Sequence, residues 1–300
     1  MEGFNIRYVE FLKKELTIKE DKLCYSILGI SMLNEKHWAI IGTGNIGKLL
    51  LTRLLSSGVR PDHLVVYDSD PLRIESVVKE SGVSALPLTE EAFRSVDIML
   101  IATPPKAVTG LLSLISGWLK PHHLLISFAN AVSLIRLEAL TPPDFAVIRV
   151  VPNVPSLIGE GLNPVVYGNR ITNEAKTLAE ELLGILGKTI SVRDDQMNWL
   201  VGLTGASMRS VLPVLEGLIK AGTEAGLTPE QAREVAGRVM HGTASLVLHT
   251  GLSLEELKAM TPLVTVDEDM LTNMIFNAAR TAKEKMDTIQ SEEETNANEG

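Results

Sequence analysis

An apolar run, Trp38–Ile41, ends in Gly42-Thr-Gly-Asn-Ile-Gly47 and passes directly into the helical pattern Lys48–Leu55. Strand, glycine turn and helix in that order are what the pyrophosphate of a dinucleotide requires. Gly42 takes the turn, Gly44 lets backbone approach phosphate with no Cβ in the way, and Gly47 allows the helix to pack closely on the strand. The helix N-terminus then offers free N–H groups and a positive dipole end to the anion, with Thr43, Asn45 and Ile46 completing the loop. A second apolar run, Leu64–Tyr67, delivers Asp68 about 20 residues after the last glycine, where an acid is placed to hold a ribose hydroxyl.

Strands and helices alternate from Lys36 to about Arg193, which predicts a parallel sheet. Strands are expected at Leu64–Asp68, Val83–Leu86, Asp97–Ala102, Leu124–Ser127, Phe145–Val151, Pro164–Tyr167 and Thr189–Val192. Asp97–Ala102 is apolar enough to be buried on both faces. Helices are expected from Pro71, from Thr89, and over Asn173–Leu186, the last closed by Gly187. After Asp195 the alternation stops, and Trp199–Ala225, Thr228–Thr250, Ser253–Met260 and Glu268–Ile289 all read as helix. The predicted fold is therefore α/β, a Rossmann-type doubly wound and mostly parallel sheet, followed by an all-α domain. Its expected divisions are an N-terminal extension (1–35), a dinucleotide-binding domain (36–193), a helical dimerisation and substrate domain (194–289) and a disordered tail (290–300), the last too polar to bury itself. The helices are rich in apolar and small residues (Gly217, Ala221, Gly222, Ala225, Gly237, Gly242, Ala244), a composition suited to burial against a second copy.

A net charge of −9 with 28 dispersed basic residues argues against a nucleic-acid surface and leaves a small molecule as the expected ligand. Cys24 is the single cysteine, so no internal disulfide and no cysteine metal cluster can form, as suits a reducing cytoplasm. The six histidines lack metal-ligand spacing, and no metal is expected. No apolar run reaches the roughly 20 residues that cross a bilayer, and the first residues lack the order of a signal peptide. Residues 1–31 read either as a short amphipathic helix (Phe4, Tyr8, Phe11, Leu12, Leu16) or as an over-extended reading frame with Met32 as the start.

Two further stretches fall where open α/β sheets bind ligands, at the C-terminal edge of the strands. Ala102-Thr103-Pro104-Pro105 can carry a nicotinamide ribose, and Asn130 in Ser127-Phe-Ala-Asn130-Ala can bond a carboxamide or ribose. In Arg149-Val-Val-Pro-Asn153-Val-Pro, two prolines stiffen the loop that presents Asn153. The expected cofactor set is thus Gly42, Thr43, Gly44, Asn45, Ile46, Gly47, Asp68, Ser69, Thr89, Ala102, Thr103, Pro104, Asn130 and Asn153. Asp68 and Asp70 would repel a 2′-phosphate, so the chain is expected to use NAD(P)H with a lean to NADH, although Ser69 and Arg73 could still accept the phosphate.

From Lys36 to Met286 the chain resembles the pyrroline-5-carboxylate reductases, through Ile40–Gly47, the Arg149-x-x-Pro-Asn-x-Pro-x-x-x-Gly-x-Gly161 loop, Leu203-Thr-Gly205 and the Glu216–Ala232 helix pair. The resemblance implies a cytoplasmic NAD(P)H-dependent oxidoreductase of proline biosynthesis, acting on a C=N bond and assembled as a homodimer or higher homo-oligomer. It also implies that the substrate carboxylate meets the helical domain, with Thr204, Ser207, Thr261 and Thr265 as the catalytic residues. The departures fall there. Thr204-Gly-Ala-Ser-Met-Arg-Ser210 replaces the family's Ser-Gly-Ser-Gly-Pro-Ala-Tyr, and Thr261-Pro-Leu-Val-Thr-Val266 replaces Ser-Pro-Gly-Gly-Thr-Thr. Ala102-Thr-Pro-Pro105 stands where the family has Ala-Val-Lys-Pro, with Lys106 one place later. Lys258 and Arg209 are the nearest cations to restore a carboxylate partner. The expected activity is reduction of a small cyclic imine acid through an altered carboxylate turn. The alternative is a cofactor-binding, catalytically impaired paralogue with a regulatory or interaction role.

Overall fold

The computed structural model describes residues 32–296. The amphipathic-helix reading of residues 1–31 and the lone Cys24 lie outside them. Two compact units are present among the described residues, one built from residues 32–205 with 279–296, the other from Ala206–Ala278.

The first unit is an eight-stranded sheet: β1 (Trp38–Ile41), β2 (Leu64–Tyr67), β3 (Ser84–Ala85), β4 (Ile98–Ile101), β5 (Leu124–Ser127), β6 (Ala146–Val150), β7 (Gly161–Tyr167) and β8 (Gly187–Ser191). Their spatial order is β3-β2-β1-β4-β5-β6-β7-β8. The six strands β1 to β6 are parallel, as the alternation predicts, whereas β7 runs antiparallel to β6 and β8 parallel to β7. The reversal has a chain-length cause. Residues 151–160 join β6 to β7 through only the short helical turn Val154–Ile158, too little for a crossover, so the chain returns beside the strand it left. Helices α1 (Asn45–Ser56), α2 (Pro71–Ser81), α3 (Glu90–Phe93), α4 (Pro105–Ile115), α5 (Leu134–Ala139), α6 (Asn173–Gly184) and α7 (Met197–Leu200) complete the unit.

Alternation along each strand splits the core in two. Ile40, Val66, Leu100, Ile126 and Ile148 pack with Leu50 and Leu54 of α1 and Leu178 and Leu182 of α6 on one face. Ala39, Ile41, Met99, Ile101, Leu125 and Val147 pack with Val108 and Leu112 of α4, Leu137 of α5 and Phe93 on the other. All four residues of β1, β4 and β5 are buried, which is what their unbroken apolar runs require. One expectation shifts: Gly187 opens β8 instead of closing α6. At φ +134 its Cβ would lie 2.2 Å from the Gly161 carbonyl oxygen, so the close pairing of β7 and β8 demands a glycine there.

The other unit is helical, with α8 (Ser207–Glu224), α9 (Pro229–His249), α10 (Leu254–Ala259) and the first part of α11 (Glu268–Asn296). The Thr228 hydroxyl accepts from the Gln231 amide while the Gln231 side chain accepts from the Thr228 amide, the cap that Thr-Pro-Glu-Gln predicts. Gly222 brings α8 against α9, since a Cβ there would sit 3.0 Å from the Ala232 Cβ. Helix α11 continues past Ile289, so a tail beginning at residue 290 is corrected: Glu294 accepts from the Ser133 hydroxyl and Gln290 from the Asn198 amide, giving the polar last turns partners. No helix among the described residues is long and apolar enough to cross a membrane.

Candidate cofactor site

The parallel strand order reverses direction between β1 and β4, and a cleft of about 570 Å³ opens at their C-terminal ends. That is the position where open α/β sheets bind ligands. Its floor is the glycine loop. Gly42, at φ +98, donates its amide to the Tyr67 carbonyl, and a Cβ would come within 2.7 Å of the Ala102 carbonyl group. A Cβ on Gly47 would stand 1.8 Å from the Gly42 oxygen. These two glycines are needed for backbone packing. Gly44 differs: it caps α1, has nothing within 4 Å of its Cβ position, and lines the cleft. No side chain caps α1 and no acid lies in its first turn, so the N–H groups there face the cleft side uncompensated.

Most of the expected cofactor residues converge here. Gly42, Gly44, Asn45, Ile46, Asp68, Ser69, Ala102, Thr103, Pro104 and Asn130 line the cleft. Thr43 does not, because it is buried and spends its amide and hydroxyl on Asp68. Gly47 lies beneath the loop, and Thr89 caps α3 by accepting from the Ala92 amide, next to the cleft-lining Leu88. The Thr103 hydroxyl is buried with no hydrogen-bond partner among the described residues, an orphan in the cleft wall that a ligand can satisfy. Beside Asn130, Ala131 sits at φ +59, the one positive-φ non-glycine residue described, which marks local strain at the cleft rim.

Asp68 is more constrained than its position in the sequence implies. One carboxylate oxygen accepts from the Thr43 amide at 2.7 Å and the Thr43 hydroxyl at 2.9 Å, and the other from the Asp70 amide at 3.0 Å. Burial alone pushes this carboxyl up, but the amides, the hydroxyl and the Arg73 guanidinium outweigh it and hold the pKa below the usual range. A cleft at the strand ends, an uncapped helix end, a Cβ-free approach at Gly44 and an orphaned hydroxyl fit a dinucleotide.

Residues 37–131 match the family model for NADP oxidoreductase, coenzyme F420-dependent, and residues 194–286 match that for pyrroline-5-carboxylate reductase dimerisation. The chain is 29% identical over 227 residues to pyrroline-5-carboxylate reductase of Escherichia coli (strain K12), covering 75% of this chain and 84% of that one. It is 27% identical over 224 residues to pyrroline-5-carboxylate reductase of Corynebacterium melassecola, covering 74% and 83%. Over about three quarters of its length the chain is thus similar to pyrroline-5-carboxylate reductases, and residues 194–286 match their dimerisation family. Among solved structures, Plasmodium falciparum pyrroline carboxylate reductase with NADP bound has the same fold, at TM-score 0.74 and 20% identity over 86% of this chain and 99% of that one. The Coxiella burnetii pyrroline-5-carboxylate reductase follows at TM-score 0.70 and 20% identity, covering 85% and 98%.

Of the remaining predicted residues, Asn153 and Thr204 are not among those that line the cleft, and Ser207, Thr261 and Thr265 belong to the helical unit. Asn153 is drawn into a polar bracket: its Nδ2 donates to the Thr204 carbonyl at 3.1 Å and its Oδ1 accepts from the Leu162 amide at 3.2 Å and the Ser156 hydroxyl at 3.4 Å. Thr204 is buried and gives its hydroxyl to the Leu200 carbonyl at 2.7 Å. The six residues Val201–Ala206 form a π-helix, which no sequence signal announced, and Ser207 opens α8 after it. Thr261 and Thr265 flank the exposed Leu263 and Val264 in the helical unit. Lys258 is not a spare cation, since it donates to Glu268 at 2.6 Å.

Ten of the lining residues fall outside the predicted cofactor set, among them Phe128, Leu111 and Arg73, the last expected only as a possible phosphate acceptor. Phe128 was within reach, two places before Asn130, whereas α4 carries Leu111 without any motif. Arg149, wholly buried on β6, pairs with Asp194 at 2.6 Å, and Asp194 in turn accepts from the Leu134 amide. This pair joins the first residue of the Arg149–Gly161 stretch to the segment after β8.

Proposed function

We propose that this chain is an NAD(P)H-dependent reductase of a small cyclic imine acid, working in the cytoplasm as a homodimer. Residues 36–193 hold the nucleotide and 194–289 serve the substrate and the second copy. The observation that carries this reading is Gly44, the one glycine of the loop whose missing side chain opens onto the cleft and not onto protein backbone. A bound nicotinamide nucleotide supplies the hydride, and the protein's share is placement. The first-turn amides of α1 would face the diphosphate, Asp68 to Arg73 the adenosine ribose, and Thr103 and Asn130 the nicotinamide ribose. Asp68 and Asp70 leave net negative charge beside that ribose, which supports NADH over NADPH.

The dimer rests on the helical unit. Among its described residues only Ala232 and Ala236 are buried, while Val235, Val239, Leu248 and Phe276 are exposed, apolar surface suited to burial against a second copy. Leu263, 83% exposed, and Val264, 67% exposed, carry Cβ atoms where the family has glycines, and neither has positive φ. With Lys258 engaged by Glu268, Arg209 is the cation left on the substrate side for a bidentate carboxylate pair. The same apolar turn favours a second reading, a nucleotide-binding paralogue with impaired catalysis. Oxidation of NADH and NADPH by the purified protein, with and without pyrroline-5-carboxylate, separates them: turnover supports the reductase, and nucleotide binding with no turnover supports the paralogue.

A further inference from the structure

The nucleotide reading assigns Asp68 to the ribose, yet its carboxylate already accepts three hydrogen bonds, two of them from Thr43 in the middle of the glycine loop. A carboxylate so engaged has little acceptor capacity left in the directions its partners occupy. One turn on, Asp70 has a different arrangement. Its Oδ1 accepts from the Leu72 amide at 3.0 Å, capping α2, while its Oδ2 lies 3.4 Å from Nε of Arg73. Arg73 lines the cleft with more than half of its side chain exposed. Among the described residues that line the cleft its guanidinium is thus the one cation, partly neutralised by the acid that caps its own helix.

We propose that Asp68 is a positioning residue that latches the glycine loop to the end of β2, and that the choice between a 2′-hydroxyl and a 2′-phosphate is made by the Asp70–Arg73 pair. This inference rests on the nucleotide reading and names the selector within it. The latch works through geometry: Thr43 precedes Gly44, so holding its amide and hydroxyl fixes the backbone that approaches the diphosphate, a part common to both nucleotides. The pair works through charge. Asp70 draws Arg73 away from a phosphate and cancels its charge, so the wall lacks the free cation that the extra charge of NADPH would need.

Binding of NADH and NADPH by calorimetry, together with melting of the ligand-free protein, tests both halves. Asp68→Asn keeps the side-chain shape and should weaken both nucleotides by similar factors, leaving their ratio within about twofold to threefold, since only a shared element is disturbed. Asp70→Asn retains a good N-cap and releases Arg73, so NADPH affinity should rise about tenfold with NADH little changed, and adding Arg73→Ala should abolish that gain. Without ligand, Thr43→Val and Asp68→Asn should each lower the melting temperature, and the double variant should lose less than the sum, because both break one latch. A tenfold swing towards NADPH in Asp68→Asn alone would overturn the assignment, as would an unchanged ratio in Asp70→Asn. Wild-type protein that binds neither nucleotide would overturn the nucleotide reading and the selector with it, while additive melting shifts would overturn the latch by themselves.

Discussion

The three glycines of the loop should fail in different ways when substituted, and their Cβ environments set the magnitudes. Gly44→Val puts a side chain into open cleft, at φ −69 and ψ −163, backbone that any residue adopts. Losing a glycine at the N-cap costs at most about 1 kcal/mol. For a domain of roughly 150–250 residues that is a drop of about 2–4 °C in Tm. Gly47→Ala forces a Cβ to 1.8 Å from the Gly42 oxygen and 2.9 Å from its carbonyl carbon, both backbone atoms that no rotamer change can move. Strain of that kind costs about 1–3 kcal/mol or more, so this variant should melt well below wild type before any ligand is added. Nucleotide at a hundred times its Kd adds about 2.7 kcal/mol to the native state. Differential scanning calorimetry of wild type should therefore show a rise of roughly 5–10 °C with nucleotide. Gly44→Val should melt near wild type without ligand and lose that rise. A Gly44→Val protein that keeps the full nucleotide-induced rise would refute the cradle, and a Gly47→Ala protein that melts like wild type would refute the packing argument.

His123 supplies a pH test. Its imidazole is 1% exposed, and burial, assisted by the charges of His122 and Lys120 and opposed by Asp97, lowers its pKa from 6.5 to about 4. The unfolded chain then binds the extra proton first as pH falls, so stability is whole above pH 6.5 and declines by up to about 3 kcal/mol between there and pH 4. Denaturant titrations of wild type and His123→Gln across that window should differ in slope, and parallel curves would remove the effect. Thr103→Val should remove the orphaned hydroxyl, leave or raise stability without ligand, and weaken nucleotide binding by about fivefold to tenfold; calorimetry showing unchanged affinity would take Thr103 out of the site. At the carboxylate turn, wild type should turn over pyrroline-5-carboxylate with KM raised at least about tenfold above the usual range, and Leu263→Gly with Val264→Gly should recover part of it; efficient wild-type turnover at submillimolar substrate would show that the turn is not impaired.

The sheet and its glycine loop were legible because their signals are local. An unbroken apolar run such as Ile98–Ile101 can only be buried on both faces, and glycine spacing reports a backbone shape that few other residues permit. The antiparallel return of β7 was not legible, since it depends on what residues 151–160 can span, nor was the π-helix at Val201–Ala206, which has no composition of its own. Side-chain partnership was the least legible of all. Asp68, Asn153 and Lys258 each stand where a ligand contact is expected, and each proves to be engaged by another part of the chain: Thr43 and Asp70, Thr204 and Leu162, Glu268. Sequence alone determined which residue types reach the cleft edge, because strand period and loop length place them. Only the tertiary structure decided which of their polar atoms remain to be used, because a hydrogen bond depends on distances of a few tenths of an ångström between groups far apart in the chain.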